Sequence, residues 1–199
     1  MKKIWLGMMI VWMVGCLAGC AREAGKYSKN TLLIKKNGSI VEIAVEDYKD
    51  SSVKAEDLKT YIDEQISDYN DGQGKKVVRN ESLNTEDMSK VKLVLSYKGI
   101  EDYNGFNNLD CILKNADACE EKDMTGTYKS VEDGKSAKVS DILATKKAKV
   151  LSVSEKTDVV VKGDILYYND QVKVKDGIAS TTGKENAIIA VSYTHLRAH

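Results

Sequence analysis

Four cysteines are the residues of this chain with the clearest capacity for covalent chemistry. The thiolate form of cysteine is the nucleophile, and two thiols that meet can oxidise to a disulfide. Cys16 and Cys20 lie where an N-terminal apolar stretch ends, whereas Cys111 and Cys119 lie far along a polar chain. Because these surroundings differ so much, the sequence predicts a different role for each pair.

Residues 1–19 have the layout of a secretory signal. Lys2 and Lys3 supply a positive start, residues 4–14 are almost entirely apolar, and small residues follow up to Cys20. A transmembrane helix needs ~20 apolar residues, but here the apolar stretch ends at Cys20, and no basic stop-transfer cluster follows. The sequence therefore predicts a signal peptide that ends before Cys20.

Residues 17–20 read LAGC, which resembles the lipobox of bacterial lipoproteins. The resemblance implies that the Cys20 thiol receives a diacylglycerol, that the signal is cut just before it, and that the new N-terminus is usually acylated too. Two or more acyl chains hold a protein stably on a bilayer. The expected partner is therefore the membrane through covalent lipid, and the expected location is the extracytoplasmic face of the cell membrane. Residues 20–30 are expected to form a short polar tether, while Cys16 leaves with the signal.

Cys111 and Cys119 are a candidate disulfide, because an even pair of cysteines outside the cytoplasm often forms a bridge. If residues 109–118 form one helix, however, the two positions are separated by about 12 Å along its axis, and a disulfide needs Cα atoms within about 7 Å. Only a break near Asn115 would let them meet. The alternatives are buried free thiols and a catalytic thiol, for which the sequence shows no base partner.

Residues 99–119 are the first choice for a binding surface. Asp102, Tyr103 and Phe106 are the candidate contact residues, because acidic and amide side chains gather around two aromatic rings there. The alternative is the capped and packed start of a second helix, either continuous or broken.

Residues 190–199 are predicted to be foreign to the native chain. From Val191 the sequence reads VSYTHLRAH, which matches the translation of a transposase-type sequencing adaptor. The two adaptor bases before that stretch also complete an alanine codon. A genomic read that continues through VSYTHLRAH would refute this interpretation.

Both histidines, His195 and His199, fall in this tail. The remaining chain therefore lacks the commonest general base and the commonest metal ligand, which argues against zinc enzymes and histidine-dependent triads. No catalytic residue, metal or cofactor is predicted.

The charge balance argues against nucleic acid as a partner. Removing Lys2, Lys3 and Arg197 from the 30 basic residues leaves 27 against 30 acidic residues, a net charge near −3. A nucleic-acid-binding domain is typically basic.

The first part of the mature chain, residues 31–119, is predicted to be an α+β region. Residues 32–45 read as a hairpin with a two-residue Asn37-Gly38 turn, which would pair Ile34 with Val41. Residues 55–70 show helical periodicity, with Ser51 or Ser52 as the cap, and residues 76–79 and 91–97 read as two more strands. We expect one or two helices on an antiparallel sheet.

The second part, residues 120–189, is predicted to be β-rich. Residues 127–131 and 137–139 read as a hairpin, and residues 149–175 read as a meander with turns at 163–164 and 169–170. This pairing would place Val160, Ile165, Tyr167, Val172 and Val174 on one face.

Residues 177–184 look at first like a phosphate-binding loop, but the glycines are one residue too far apart and Glu185 stands where Ser or Thr is required.

The leading hypothesis for function is a lipid-anchored cell-envelope lipoprotein with a non-catalytic binding or interaction role. The sequence does not identify its protein or small-molecule ligand. One alternative is a surface hydrolase that uses paired carboxylates, suggested by the abundant Asp and Glu. Another is an accessory solute-binding component of a transporter, although the chain is short for a two-lobed receptor.

Overall fold

A computed structural model describes residues 23–194. The predicted signal, Cys20 and both histidines lie outside these residues. Within the described range the chain forms three helices and thirteen strands. The elements are β1 (Thr31–Ile34), β2 (Ile40–Glu46), α1 (Ala55–Gln73), β3 (Val78–Asn84), β4 (Val91–Tyr97), α2 (Ile100–Asn107), β5 (Ile112–Asn115), β6 (Tyr128–Ser130), β7 (Ser136–Ala137), α3 (Val139–Leu143), β8 (Ala148–Val153), β9 (Asp158–Val161), β10 (Asp164–Asn169), β11 (Val172–Lys175), β12 (Ile178–Thr181) and β13 (Ala187–Ser192).

The strands form two sheets that are largely antiparallel. The first sheet has seven strands in the order β11-β12-β9-β1-β2-β4-β3, and the second has six in the order β5-β8-β13-β10-β6-β7. The pairing of β1 with β9 is parallel. The predicted α+β class is confirmed, with α1 and α2 in the N-terminal half and a strand meander in the C-terminal half.

Helix α1 forms where the helical periodicity predicts it and continues to Gln73. Leu58 and Ile62 are buried against the end of β4. The helix stops because Gly74 adopts a left-handed conformation with φ of 63°. The predicted cap at Ser51 or Ser52 is wrong, since Lys54 occupies the cap position and makes no side-chain cap bond.

The main core lies between the two sheets. It gathers aliphatic side chains from both sheets together with aromatic residues of β4 and α2. Ile34 and Leu151 are fully buried there, one from each sheet. The face of the first sheet that points into this core is called the inner face below, and the opposite face is called the outer face.

Each sheet also has a smaller cluster on its other side. On the outer face of the first sheet, Ala24 and Tyr27 pack on Leu33, Val41 and neighbouring aliphatic side chains. On the far side of the second sheet, the cluster is built around Met124, Tyr128 and Ile142. Apolar side chains on both sides of these strands explain why β1 and β13 are buried along their whole length.

The N-terminal hairpin is confirmed, but its predicted register is wrong by one residue. Ile34 pairs with Ile40, so Val41 lies opposite Leu33. The turn has three residues between Lys35 and Ser39, whose backbones bond at 2.9 Å, and only Gly38 has a positive φ, of 85°. A three-residue loop that ends in a left-handed glycine is the next commonest hairpin connection after the two-residue turn.

The predicted C-terminal meander has the right strands but the wrong pairing. β9 and β11 belong to the first sheet, whereas β10, which lies between them in the chain, belongs to the second. Val160 therefore packs on the outer face, Ile165 lies in the main core, and Tyr167 lies on the far side of the second sheet. These three side chains do not share one face.

Strand pairing crosses the boundary between residues 31–119 and 120–189. β5, from the first region, joins β8 in the second sheet, and β9, from the second region, joins β1 in the first sheet. The two regions are therefore not separate folding units.

In the described part of the tail, residues 190–192 belong to β13 and residues 193–194 follow it. Val191 is 0 % exposed, and Ser192 pairs with Ala148 and Asp164. This packing shows that the side chains fit a central strand. Whether residues 190–199 derive from an adaptor is a question about the gene and stays a prediction.

Candidate functional site

A polar cluster at the inner face of the first sheet is the strongest candidate for chemistry among the described residues. Its centre is Glu42, which the corrected register of β2 turns toward the main core. The Tyr97 hydroxyl donates a hydrogen bond to Glu42 Oε2 at 2.5 Å, and the Asn107 side-chain amide contacts both the Tyr97 hydroxyl at 3.1 Å and Glu42 Oε2 at 3.4 Å. β2, β4 and α2 each supply one member, so the fold itself positions this carboxyl.

Burial determines the electrostatics of this cluster. Desolvation raises the pKa of Glu42, the hydrogen bonds from Tyr97 and Asn107 oppose that shift, and the nearby Glu155 carboxylate adds to it. Desolvation and the charge of Glu42 also raise the pKa values of Tyr97 and Tyr103. The phenols therefore stay protonated at neutral pH and act as hydrogen-bond donors.

Cys111 links this cluster to the second sheet. Its Sγ donates to Glu155 Oε2 at 3.4 Å, and the Ser154 hydroxyl donates to Glu155 Oε1 at 2.7 Å. Burial, followed by the charge and hydrogen bond of Glu155, raises the pKa of the Cys111 thiol to about 12. The thiolate is the reactive form of cysteine, and these surroundings hold Cys111 in its protonated thiol form.

The predicted binding residues Asp102, Tyr103 and Phe106 do not form one exposed surface. Tyr103 is 2 % exposed and stacks edge-on against Tyr97, with ring centroids 5.2 Å apart. Phe106 packs edge-on against Tyr69 at 5.6 Å. Asp102 is half-buried. The packed-helix alternative describes this segment better, because the aromatic rings on α2 point into the core.

Cys119 lies away from Cys111. Helix α2 ends at Asn107 because Asn108 is left-handed with φ of 54°, and residues 112–115 then form β5 rather than continuing the helix. Cys111 belongs to the main core, whereas Cys119 packs on the far side of the second sheet and its thiol donates to the Asn115 carbonyl at 3.4 Å. Both are free thiols in the structure, so the predicted disulfide gains no support from it.

Several shallow clefts open at the surface. One of about 460 Å³ lies between residues 28–30, the start of β9 and the end of β12, and Lys29 and Lys156 are among its lining residues. Another of about 380 Å³ lies between α1 and β3, where Asn80 Oδ1 and Glu81 Oε2 are buried without a hydrogen-bond partner among the described residues. Glu42 and Glu155 line neither of these clefts.

The segment that follows the predicted lipid site is fixed to the domain. Ala24 is 1 % exposed in the outer cluster, Glu23 forms an ion pair with Lys162, and Lys92 Nζ donates to the Ala24 carbonyl at 3.3 Å. The Asn30 side chain then accepts from the Val45 amide at 2.8 Å. Residues 23–30 are thus tied down at several points, although residues 20–30 are predicted to be a tether.

Comparisons with known proteins identify no relative of this chain. No family model, curated protein or solved structure matches it. None of the helices within residues 23–194 is long and apolar enough to cross a membrane. In the same part of the chain, no three His, Cys, Asp or Glu side chains are grouped so that they would hold a metal ion.

Two functional candidates, Glu42 and Glu155, are missing from the residues singled out in the sequence. The signal for Glu42 is a single acidic residue inside the apolar strand IVEIAVE. The hairpin register decides which face it occupies, and the register is the part of the hairpin that the pattern predicts wrongly. Glu155 follows β8 in a loop, and no sequence pattern brings it to Cys111.

Proposed function

We propose that the protein is a lipid-anchored lipoprotein of the cell envelope, attached through Cys20 to the extracytoplasmic face of a membrane, and that it acts by non-catalytic binding or interaction. The observation that carries the proposal is the LAGC motif that ends the apolar N-terminal segment. Glu23 and Ala24, three and four residues beyond Cys20 in the chain, pack on the domain, which would keep the domain close to such an anchor.

The state of the inner polar cluster supports the non-catalytic part of this proposal. Its thiol is protonated at neutral pH, its phenols have raised pKa values, and its central carboxyl is already hydrogen-bonded by Tyr97. The hydrogen bonds of this cluster hold β2, β4 and α2 together, which is a structural role. An activated thiol nucleophile usually has a lowered pKa, whereas burial and the Glu155 charge shift the pKa of Cys111 upward.

Replacing Cys20 tests the anchor. The Cys20→Ser change removes the only atom that takes the lipid in this proposal, so we expect metabolic labelling with a fatty acid to be lost and the unprocessed precursor to accumulate. Cys16→Ser is the matched control, because Cys16 lies inside the predicted signal and should leave labelling intact. Continued labelling of the Cys20→Ser protein at another residue would refute the proposal.

A second candidate function is hydrolysis by the Glu42 and Glu155 carboxyl groups. The observation in its favour is that burial, with a smaller addition from the Glu155 charge, raises the pKa of Glu42, and a raised carboxyl pKa is what a general acid needs. A panel of chromogenic glycosides and esters tests it. Turnover that is lost in both Glu42→Gln and Glu155→Gln would favour the enzyme, and no turnover by the native protein would eliminate it for those substrates.

A further inference from the structure

The outer face of the first sheet carries basic side chains along its exposed margins. The register places Lys175, Ile178, Val160, Leu33, Val41, Ser96 and Arg79 in one row across the seven strands. Residues directly opposite each other in a sheet point to the same side. Lys173 lies in the next row, and Lys92 lies near the other end of the same face. Lys173, Lys175 and Arg79 are exposed.

Acidic side chains on this face are fewer and already engaged. Asp158 accepts from the Ser180 hydroxyl at 2.6 Å, and Glu81 accepts from the Ser96 hydroxyl at 2.6 Å. Glu23 also lies at this face, where it forms an ion pair with Lys162. The hydrogen bonds to Asp158 and Glu81 leave both carboxylates charged, but the basic side chains named above outnumber them, so the outer face presents a net positive charge even though the mature native chain is slightly acidic.

The opposite side of the sheet has the reverse charge. Helix α1 packs on the inner side of β4, against Val91 and Leu93. Along its length it carries six acidic residues and one basic residue, which are Glu56, Asp57, Asp63, Glu64, Asp68, Asp71 and Lys59. Helix α1, on the inner side of the first sheet, is thus acidic, whereas the outer face is basic.

The lipid site is close to the basic side. Cys20 precedes Glu23 by three residues, and a chain of three residues spans at most ~10 Å. Glu23 is held by Lys162, and Ala24 is buried on the outer face. Acyl chains on Cys20 would therefore enter a bilayer within a short reach of this face, and no long tether would let the domain turn away.

We propose that the outer face of the first sheet is a membrane-docking surface whose exposed lysine and arginine side chains bind anionic phospholipid headgroups. This inference rests on lipid attachment at Cys20, the proposed function above. Charge complementarity selects the occupant, because anionic lipid attracts exposed Lys and Arg that lie within a Debye length of the surface. The acidic helix α1, on the inner side of the sheet, would then face away from the bilayer. A partner would approach the domain from that side.

Amine footprinting of the native lipidated protein tests this orientation. The full-length gene product is purified from membranes and reconstituted into vesicles of phosphatidylglycerol and phosphatidylcholine, and lysine acetylation rates are read by mass spectrometry. We expect Lys173 and Lys175 to label several-fold more slowly than in detergent. Lys129 and Lys138, on the second sheet and the loop after β7, should label at the same rate in both. High salt, or vesicles of phosphatidylcholine alone, should reduce the protection.

Charge reversal provides a matched pair of variants. In Lys173→Glu with Lys175→Glu, the exposed residue Lys26 should regain the labelling rate that it has in detergent. In Lys129→Glu with Lys138→Glu, the labelling of Lys26 should stay slow. All four positions are exposed, so neither pair is expected to disturb the core.

The outcomes separate the docking surface from the anchor. A lipidated protein that floats with the vesicles but labels equally on both sides overturns the docking surface and leaves the anchor standing. An N-terminal peptide that carries no lipid overturns both proposals together. Protection that is equal in phosphatidylcholine vesicles and insensitive to salt also overturns the docking surface, because it shows proximity without headgroup recognition.

Discussion

The two faces of the first sheet are built from the same strands, yet one is closed by protein and the other is covered only at its centre. Inner-face side chains such as Ile34 and Tyr97 meet the second sheet and the helices. On the outer face, Ala24 and Tyr27 cover Leu33, while Lys173 and other basic side chains at the edge remain exposed. The difference shows that strand alternation alone does not determine which face is buried. The segments that pack on each face determine it.

The same comparison applies to charge. The inner face buries a carboxyl group, Glu42, and must supply Tyr97 and Asn107 as donors to hold it. The outer face keeps Lys173 and Lys175 exposed to water, where a charge needs no protein partner. A charged residue therefore constrains packing on one side of the sheet and remains available for contacts on the other.

The largest expected effect is the loss of a core side chain from the inner face. Ile34→Ala leaves a cavity where the side chain is fully buried, so the free energy of unfolding should fall by about 2–5 kcal/mol. The control is Ile178→Ala, at a half-buried position on the outer face, which should cost less. Denaturant unfolding of both variants measures the difference, and equal losses would contradict the contrast between the two faces.

A smaller effect is expected from undocking the N-terminal segment. Ala24→Asp places a charge at a position that is 1 % exposed, and the cost of burying an unpaired polar group is about 1–3 kcal/mol or more. We expect residues 23–27 to leave the outer face, so limited proteolysis should cut there while the sheet stays folded. Ser28→Asp, at an exposed position, should leave the proteolysis pattern unchanged. Global unfolding of the Ala24→Asp protein would show that the segment is part of the core.

The smallest effect, and the most specific, is a pH dependence of stability. Burial raises the pKa of Glu42 above its ordinary value of 4.5, so the folded state binds this proton more tightly than the unfolded state does. The contribution of Glu42 to stability is complete below the ordinary pKa and is lost as the pH rises through the raised pKa. In Glu42→Gln the group no longer titrates, so the variant should gain stability relative to the native protein over that window.

Thermal unfolding across the pH range measures this difference. Glu46→Gln, at the exposed end of the same strand, is the control and should follow the native curve. A difference between native protein and Glu42→Gln that grows toward low pH in favour of the variant would show that the sign of the Glu42 shift is wrong.

Much of the secondary structure could be predicted from the sequence because most elements carry a clear local pattern. The strand predicted at residues 91–97 matches β4, and the predicted start of α1 at residue 55 is confirmed. The hairpin register was not accessible, because Thr31–Ile34 is buried on both sides. An apolar strand of that kind satisfies either register, so alternation cannot choose between them.

Local sequence patterns also could not predict which sheet each strand of the C-terminal half joins. A Gly163 turn signals that the chain changes direction, but it does not say which sheet the next strand joins. The two-residue hairpin turn actually occurs at Asp176 and Gly177, with φ of 51° and 75°, and that dipeptide carries the usual hairpin signal. Asn169 is 1 % exposed and accepts from the Ile188 amide at 3.0 Å, a long-range contact with no local signature.

The parallel pairing of β1 with β9 has a consequence for how the chain folds. β1 and β2 can pair as soon as both have been synthesised, but the other edge of β1 stays open until residues 158–161 are also present. An open strand edge is a site for wrong pairing, and contacts between distant parts of a chain form slowly. A chain that is made from its N-terminus would therefore keep one edge of β1 unpaired until β9 has been made.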